Sequence, residues 1–90
     1  MCRNIKPLFN FAPAATEAEI HDAALQFVRK LSGYNHPSQA NQAAFDRAVQ
    51  AVAHAAQHLL SELVTQAPPR DRAVEAAKAR QRAIKRFGMA

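Results

Sequence analysis

Residues 16–33 read TEAEIHDAALQFVRKLSG and carry the clearest structural signal in the chain. Thr16 and Glu19 have the spacing of a capping box, in which the hydroxyl accepts a hydrogen bond from a helical amide and the carboxylate accepts one from the N-cap amide. Gly33 is suited to a left-handed C-cap. Apolar residues recur between them every three or four positions, as on one face of an α-helix. The pattern predicts a helix that starts at Thr16 and packs through Ile20, Ala23, Ala24, Phe27, Val28 and Leu31.

The turn that follows, GYNHPS at residues 33–38, leads into a second predicted helix. Pro37 disfavours helical geometry at His36, and Ser38 is a suitable N-cap. We expect the helix to run from about Ser38 to about Gln66, which gives a length of roughly 42 Å at about 1.5 Å per residue. Its seam alternates steps of four and three residues. The seam consists of Phe45, Val49, Val52, Ala56, Leu59 and Leu63.

Two prolines in APPRD, residues 67–71, end the second helix and precede a third. We predict this helix from Asp71 to about Phe87, with Gly88 as its C-cap. Arg80 falls within its thin apolar face, where a structural ion pair is favoured over an anion-binding role. The chain is therefore predicted to be all-α, a small three-helix bundle that forms a single domain over residues 1–90.

The first eleven residues, MCRNIKPLFNF, are too apolar for a free tail. We predict an ordered, extended segment that docks over the long second helix. Cys2 is the only cysteine, so it forms neither an internal disulfide nor a multi-cysteine zinc site. Its role is interpreted as structural first, with Arg3 favouring the thiolate through its positive charge. The alternative is a small thiol-dependent enzyme or redox protein that uses Cys2.

The net charge of +5 is concentrated at the end of the chain. Basic and acidic residues cancel over residues 1–69, and the excess lies in residues 70–90. A solvated outer face is the favoured interpretation of the basic third helix, because cations near a helix C-terminus are stabilised by the macrodipole. Weak, salt-sensitive nucleic-acid binding is the alternative. The stripe that would contact phosphates is Lys78, Arg82, Lys85 and Arg86.

Several other classes of function find no support in the sequence. The chain has two glycines, which excludes a glycine-rich phosphate loop. His54 and His58 have metal-binding spacing, but HAAQH lacks the glutamate of the zinc-protease motif, so a solvated polar face is preferred. No catalytic triad can be argued, and no cofactor or metal is predicted. No signal peptide or membrane span is recognised, so we expect a cytoplasmic location.

Two resemblances extend this interpretation. The segments MCRNI, PLFNF, ATEAEI, ALQFVRKLSGYNHPSQAN, AAFDRAV and APPRDRAVEAAKAR together resemble a family of short bacterial proteins catalogued as domain of unknown function 2277. This resemblance covers essentially the whole chain and implies no activity. The order of a capped helix, a His-Pro turn and a second helix is also similar to a J-domain, the co-chaperone module that stimulates Hsp70 ATPases.

The J-domain resemblance implies a matching turn and basic face. It places His36 and Pro37 in the turn and Arg29 and Lys30 on the basic face, but Ser38 stands where J-domains carry an aspartate. Co-chaperone activity is therefore not expected. We predict a non-catalytic binding or interaction module whose partner is a protein, including a homodimer formed through exposed parts of the second or third helix. The candidate interaction residues are Cys2, Arg3, Arg29, Lys30, His36, Pro37 and Arg80.

Overall fold

In the computed structural model, residues 5–87 are described, and the predictions for Cys2, Arg3 and Gly88 lie outside that range. The all-α prediction is confirmed, since three helices account for most of the described chain and the two strands are two residues long. The elements are β1 (Phe11–Ala12), α1 (Glu17–Ser32), a 3₁₀ turn (Gln39–Asn41), α2 (Gln42–Glu62), β2 (Arg70–Asp71) and α3 (Arg72–Phe87).

Helix α1 begins and ends as its sequence predicts. The Glu19 amide donates a hydrogen bond of 3.2 Å to Thr16 Oγ1, and the Thr16 amide donates one of 2.9 Å to Glu19 Oε1. Gly33 caps the other end with φ of 79°, a left-handed conformation that glycine adopts without a Cβ penalty. Local capping chemistry therefore determines both ends of this helix.

Helix α2 is shorter than predicted. Ser38 precedes a 3₁₀ turn rather than the helix itself, and its side chain makes no capping hydrogen bond. Its carbonyl accepts a 2.9 Å hydrogen bond from the Asn41 amide. At the other end, Leu63 is extended with ψ of 139°, ahead of the predicted end near Gln66. The 21 residues span about 32 Å rather than 42 Å. Residues 63–69 instead form the connection that carries the chain to β2.

The core lies between α1 and α2. Its buried members are Ile20, Ala24 and Val28 from α1 and Phe45 and Val49 from α2. The predicted α1 stripe is thus only partly buried, because Phe27 keeps 45% and Leu31 keeps 76% of its surface exposed. At about 100° per residue, Leu31 lies between Ile20 and Ala24 around the helix axis and Phe27 lies about 20° beyond Ile20, so both belong to the same stripe as the buried residues. These two side chains stay open to solvent near the C-terminal end of α1.

Helix α3 is joined to the rest of the fold through the N-terminal segment. Strands β1 and β2 pair in parallel, with Phe11 opposite Arg70 and Ala12 opposite Asp71. Asp71 then caps α3, as its Oδ1 accepts a 3.0 Å hydrogen bond from the Val74 amide. The ordered, extended N-terminal segment is confirmed over the described residues, but its hydrogen bonds go to residues 67–70 rather than to the second helix.

The resulting shape is flat and open. The fold measures 46 × 36 × 18 Å and has a radius of gyration of 16.0 Å, against roughly 12 Å expected for a compact domain of this length. An 18 Å thickness leaves room for at most two layers of helices, since packed helix axes lie about 8–10 Å apart and one helix with its side chains is about 10–12 Å wide. The three helices therefore leave much apolar surface in contact with solvent.

Candidate functional site

The candidate site is the junction where the N-terminal segment, β2 and α3 meet. Asn10 holds this junction together: its carbonyl accepts a 2.8 Å hydrogen bond from the Arg70 amide, and its Nδ2 donates to the carbonyls of Ala67 and Pro68 at 3.3 and 3.2 Å. Asn10 has φ of 64°, a conformation that asparagine tolerates better than most residues. The Ala12–Pro13 peptide bond that follows β1 is cis.

Arg72, the first residue of α3, connects three parts of the fold. Its Nη1 and Nη2 donate to Glu19 Oε2 and Oε1 at 2.6 and 3.0 Å, a bidentate ion pair. Its Nε donates a 2.7 Å hydrogen bond to the Pro13 carbonyl. About a third of each charged side chain is exposed, 33% for Arg72 and 34% for Glu19. The planar guanidinium fits two carboxylate oxygens at once, so this pair fixes the direction in which α3 leaves β2.

The ion pair changes the protonation of Glu19. The hydrogen bonds from Arg72, followed by the one from the Thr16 amide, lower the pKa of the Glu19 carboxyl from 4.5 to about 2. Glu19 in turn raises the pKa of Arg72, because the carboxylate stabilises the charged guanidinium. The carboxylate that caps α1 is therefore the same one that anchors α3, and it stays charged in mildly acidic solution.

Phe11 lies close to two arginines at the same junction. The guanidinium carbons of Arg70 and Arg72 are each 5.7 Å from the centre of its ring. This is within the distance at which a cation is attracted to an aromatic face. Strand pairing places Phe11 directly opposite Arg70, so the backbone register creates the contact.

A cleft of about 570 Å³ opens beside Phe11. One wall is the N-terminal segment and the other is the first part of α3. Among the described residues that line it, charged and apolar side chains predominate, and none is a serine, cysteine or histidine. The arrangement is suited to binding an anion with an apolar part. The lining residues are Lys6, Pro7, Leu8, Phe11, Glu19, Arg70, Arg72, Glu75, Ala76, Ala79 and Arg82.

The four candidate residues that the J-domain resemblance indicates lie at the C-terminal end of α1, opposite the end that carries Glu19. Arg29 is half-buried, and its Nε donates a 3.2 Å hydrogen bond to the Asn35 carbonyl, so it holds the turn. Lys30 and His36 are exposed, and Pro37 is half-buried. The structure brings these residues to one end of the helical hairpin, remote in sequence from the cleft. Their role in binding stays a prediction.

The third helix differs from its sequence-based interpretation in one respect. Arg80 is exposed, and its side chain forms no ion pair with any residue between 5 and 87, so the expected structural pair is not observed there. Lys78 Nζ lies 3.8 Å from Glu75 Oε1, and Arg82 lines the cleft. The basic stripe is thus divided between the cleft and the outer surface.

The histidine pair of α2 does not form a metal centre in the described part of the chain. The His54 and His58 rings are 4.6 Å apart and tilted by 44°, and His58 Nδ1 is 3.8 Å from Glu62 Oε1. Within residues 5–87 no group of three or more His, Cys, Asp or Glu side chains is placed to hold a metal ion. No helix in the same range is long and apolar enough to cross a membrane.

Sequence reasoning missed the Glu19–Arg72 pair and the arginines around Phe11. The spacing of Glu19 to Thr16 predicts only a helix cap, yet the cap hydrogen bonds use Oε1 and leave Oε2 for a second partner. The one available signal was the cluster of charges in PPRDR directly after two prolines. Nothing in the sequence pairs that cluster with a residue more than fifty positions earlier.

Comparison with known proteins assigns the chain to a family. Residues 1–78 match the model of a family described as "Uncharacterized conserved protein (DUF2277)". The chain belongs to this family. The DUF2277 match includes the whole β1–β2 pair and Arg72 and stops before Arg80 and Arg82. No curated protein and no solved structure matches the chain, so the similarity to J-domains stays a prediction.

Proposed function

We propose that this DUF2277 protein is a non-catalytic interaction module and that its α1–α2 face binds a second copy of the chain. The observation that carries the proposal is the imbalance between buried and exposed apolar side chains in the described residues. Five hydrophobic residues are buried. Eight large ones keep 40% or more of their surface exposed, and they are Phe27, Leu31, Tyr34, Leu59, Leu63, Val64, Val74 and Ile84.

The exposed C-terminal end of the α1 stripe is the centre of the proposed interface. Phe27 and Leu31 lie one turn apart, within about 40° of each other around the helix axis. Exposed aromatic and aliphatic residues that share a helix face are typical of interaction surfaces, whereas isolated exposed residues are ordinary. Covering this pair would complete the apolar stripe of α1, whose members Ile20, Ala24 and Val28 are already buried.

Charge favours a second copy as the partner. Helix α1 is acidic at its beginning, with Glu17, and basic at its end, with Lys30, and both lie within about 80° of the midpoint between Phe27 and Leu31. Two copies related by a two-fold axis would pack α1 antiparallel, so that each acidic end faces the basic end of the other helix. The macrodipoles of the two antiparallel helices would also attract each other, because the positive end of each helix lies beside the negative end of the other.

The size of the available surface is also sufficient. A stable protein interface buries about 800 Å² on each partner. The broad side of this flat fold measures 46 × 36 Å, so it is large enough to provide that area. The small core gives a reason for association, because a domain of this length gains limited stability from its own burial.

Sedimentation velocity across a concentration series tests the proposal. We expect the wild-type chain to dimerise at tens of micromolar and Leu31→Glu to stay monomeric with unchanged helix content. The control is Ala51→Glu, which adds the same charge at an exposed position about 160° around α2 from buried Val49 and should still dimerise. The proposed interface would be contradicted if the wild-type chain is still a monomer at about 100 μM, since any self-association would then be weak. It would also be contradicted if Leu31→Glu and Ala51→Glu weaken dimerisation equally.

A further inference from the structure

We further propose that the cleft between residues 6–8 and α3 binds a small organic molecule that carries a phosphate group. Its volume of about 570 Å³ falls inside the range of about 300–1,000 Å³ typical of small-molecule sites. Such sites combine apolar walls with a few convergent polar groups. Here Pro7 and Leu8 of the N-terminal segment and Ala76 and Ala79 of α3 line the cleft, and charged side chains complete the lining.

The charges that line the cleft are not balanced within the described chain. Arg72 is neutralised by Glu19 through the bidentate pair, and Glu75 lies 3.8 Å from Lys78 Nζ. The three remaining cations have no carboxylate partner among residues 5–87, and they are Lys6, Arg70 and Arg82. Cations that converge without counter-charges repel one another, so an anion with two or more negative charges would be attracted to this position.

The cleft is also partly preorganised. The Arg70 backbone is fixed by its hydrogen bond to the Asn10 carbonyl, and its guanidinium is placed over the Phe11 ring. The Glu19–Arg72 pair fixes the first turn of α3, which forms the opposite wall. Side chains that are already ordered lose less entropy when a ligand binds, so more of the electrostatic attraction is available as affinity.

Phosphate is the anion that suits these groups best. Guanidinium groups donate two parallel hydrogen bonds to phosphate oxygens, and a lysine ammonium adds a compact charge. The apolar wall of Leu8, Ala76 and Ala79 would contact the organic part of the ligand. A concave cleft with such a wall favours a small molecule over a nucleic-acid duplex, whose phosphates are contacted by protruding cations.

Titration with phenyl phosphate, followed by calorimetry and by amide chemical shifts, tests this proposal. We expect saturable binding, with shifts concentrated in residues 6–11 and 70–82. Arg70→Gln and Arg82→Gln should each weaken binding roughly tenfold or more, since each removes a charge-assisted hydrogen bond. The matched control is Arg80→Gln, which removes the same charge about 160° away around α3 and should change the affinity less than about threefold.

Two further ligands distinguish specific binding in the cleft from a general attraction of anions to the basic surface. Inorganic phosphate and benzyl alcohol should each bind more weakly than phenyl phosphate, because each lacks one half of the recognised chemistry. The proposal would be overturned if binding is not saturated at about 10 mM phenyl phosphate. It would also be overturned if inorganic phosphate binds with the same affinity as phenyl phosphate. Binding of a DNA oligonucleotide alone, weakened equally by Arg80→Gln and Arg82→Gln, would instead assign the basic surface to nucleic acid.

Discussion

Replacing Phe45 with alanine tests whether the α1–α2 contact is the core that holds the fold. Phe45 is 9% exposed and packs in the cluster with Ala24, Val28 and Val49. Truncation of a buried phenylalanine costs about 3–5 kcal/mol. We expect the lower end, about 3 kcal/mol, because a fold only 18 Å thick lets solvent and neighbouring side chains fill part of the space.

That loss is large for this chain. A ninety-residue domain has a free energy of unfolding of roughly 5–13 kcal/mol, and the small core here favours the lower values. A loss of about 3 kcal/mol lowers the melting temperature by roughly 12–24 °C. Urea unfolding followed by helical circular dichroism measures the change, since the transition midpoint shifts in proportion to the free energy.

Phe27→Ala is the matched control, because it removes the same side chain from α1 at a position that is 45% exposed. We expect it to cost about half as much, roughly 1.5 kcal/mol. Both variants are compared at about 1 μM, where self-association contributes least to apparent stability. If Phe45→Ala costs no more than Phe27→Ala, the α1–α2 contact is not the main core and the reasoning fails.

Three further predictions concern acid stability, the N-terminal segment and the His-Pro turn. The pKa of Glu19 is lowered from 4.5 to about 2, so the free energy of unfolding should decrease as the pH drops from 4.5 to about 2. Glu19→Gln should make the free energy of unfolding depend less on pH over that range, and identical pH profiles of the two proteins would contradict this. Cys2→Ser should leave the melting temperature within a few degrees of that of the wild type. Deletion of residues 2–11 should lower it sharply, because it removes Asn10 and Phe11 from the β1–β2 junction. An unchanged melting temperature after the deletion would show that the junction is not needed for stability. The protein should not stimulate a bacterial Hsp70 ATPase, because Ser38 lacks the carboxylate of J-domains; stimulation that is lost in His36→Gln would refute this.

The sequence was most informative where a structural feature depends on neighbouring residues. The capping box of Thr16 and Glu19 and the C-cap at Gly33 involve groups within a few positions of one another, and both are confirmed. Helical periodicity also placed the buried Ile20, Ala24 and Val28 on one stripe of α1 and the buried Phe45 and Val49 on one seam of α2. It could not show that Phe27, Leu31 and Leu59 of the same stripes stay exposed, because that depends on how the two helices are placed.

The cleft could not be predicted for a related reason. Phe11 and Arg70 meet through a parallel pair of two-residue strands, too short to leave an alternating pattern in the sequence. The charges of residues 70–90 were recognised as a basic region, but their division between the cleft and the outer surface depends on the direction of α3. That direction is determined by Arg72, whose partner Glu19 lies on another helix.

Glu19 links the predictable part of this fold to the unpredictable part. As a cap it stabilises the start of α1, and as the partner of Arg72 it positions the wall of the cleft. Its two functions are coupled through one charge, because protonation would weaken both the cap and the ion pair. The pKa of about 2 keeps that charge in place at neutral and mildly acidic pH, so the first turn of α3 stays aligned with Phe11 under those conditions. The orientation of the proposed phosphate site thus depends on a residue whose local role was already evident from its spacing to Thr16.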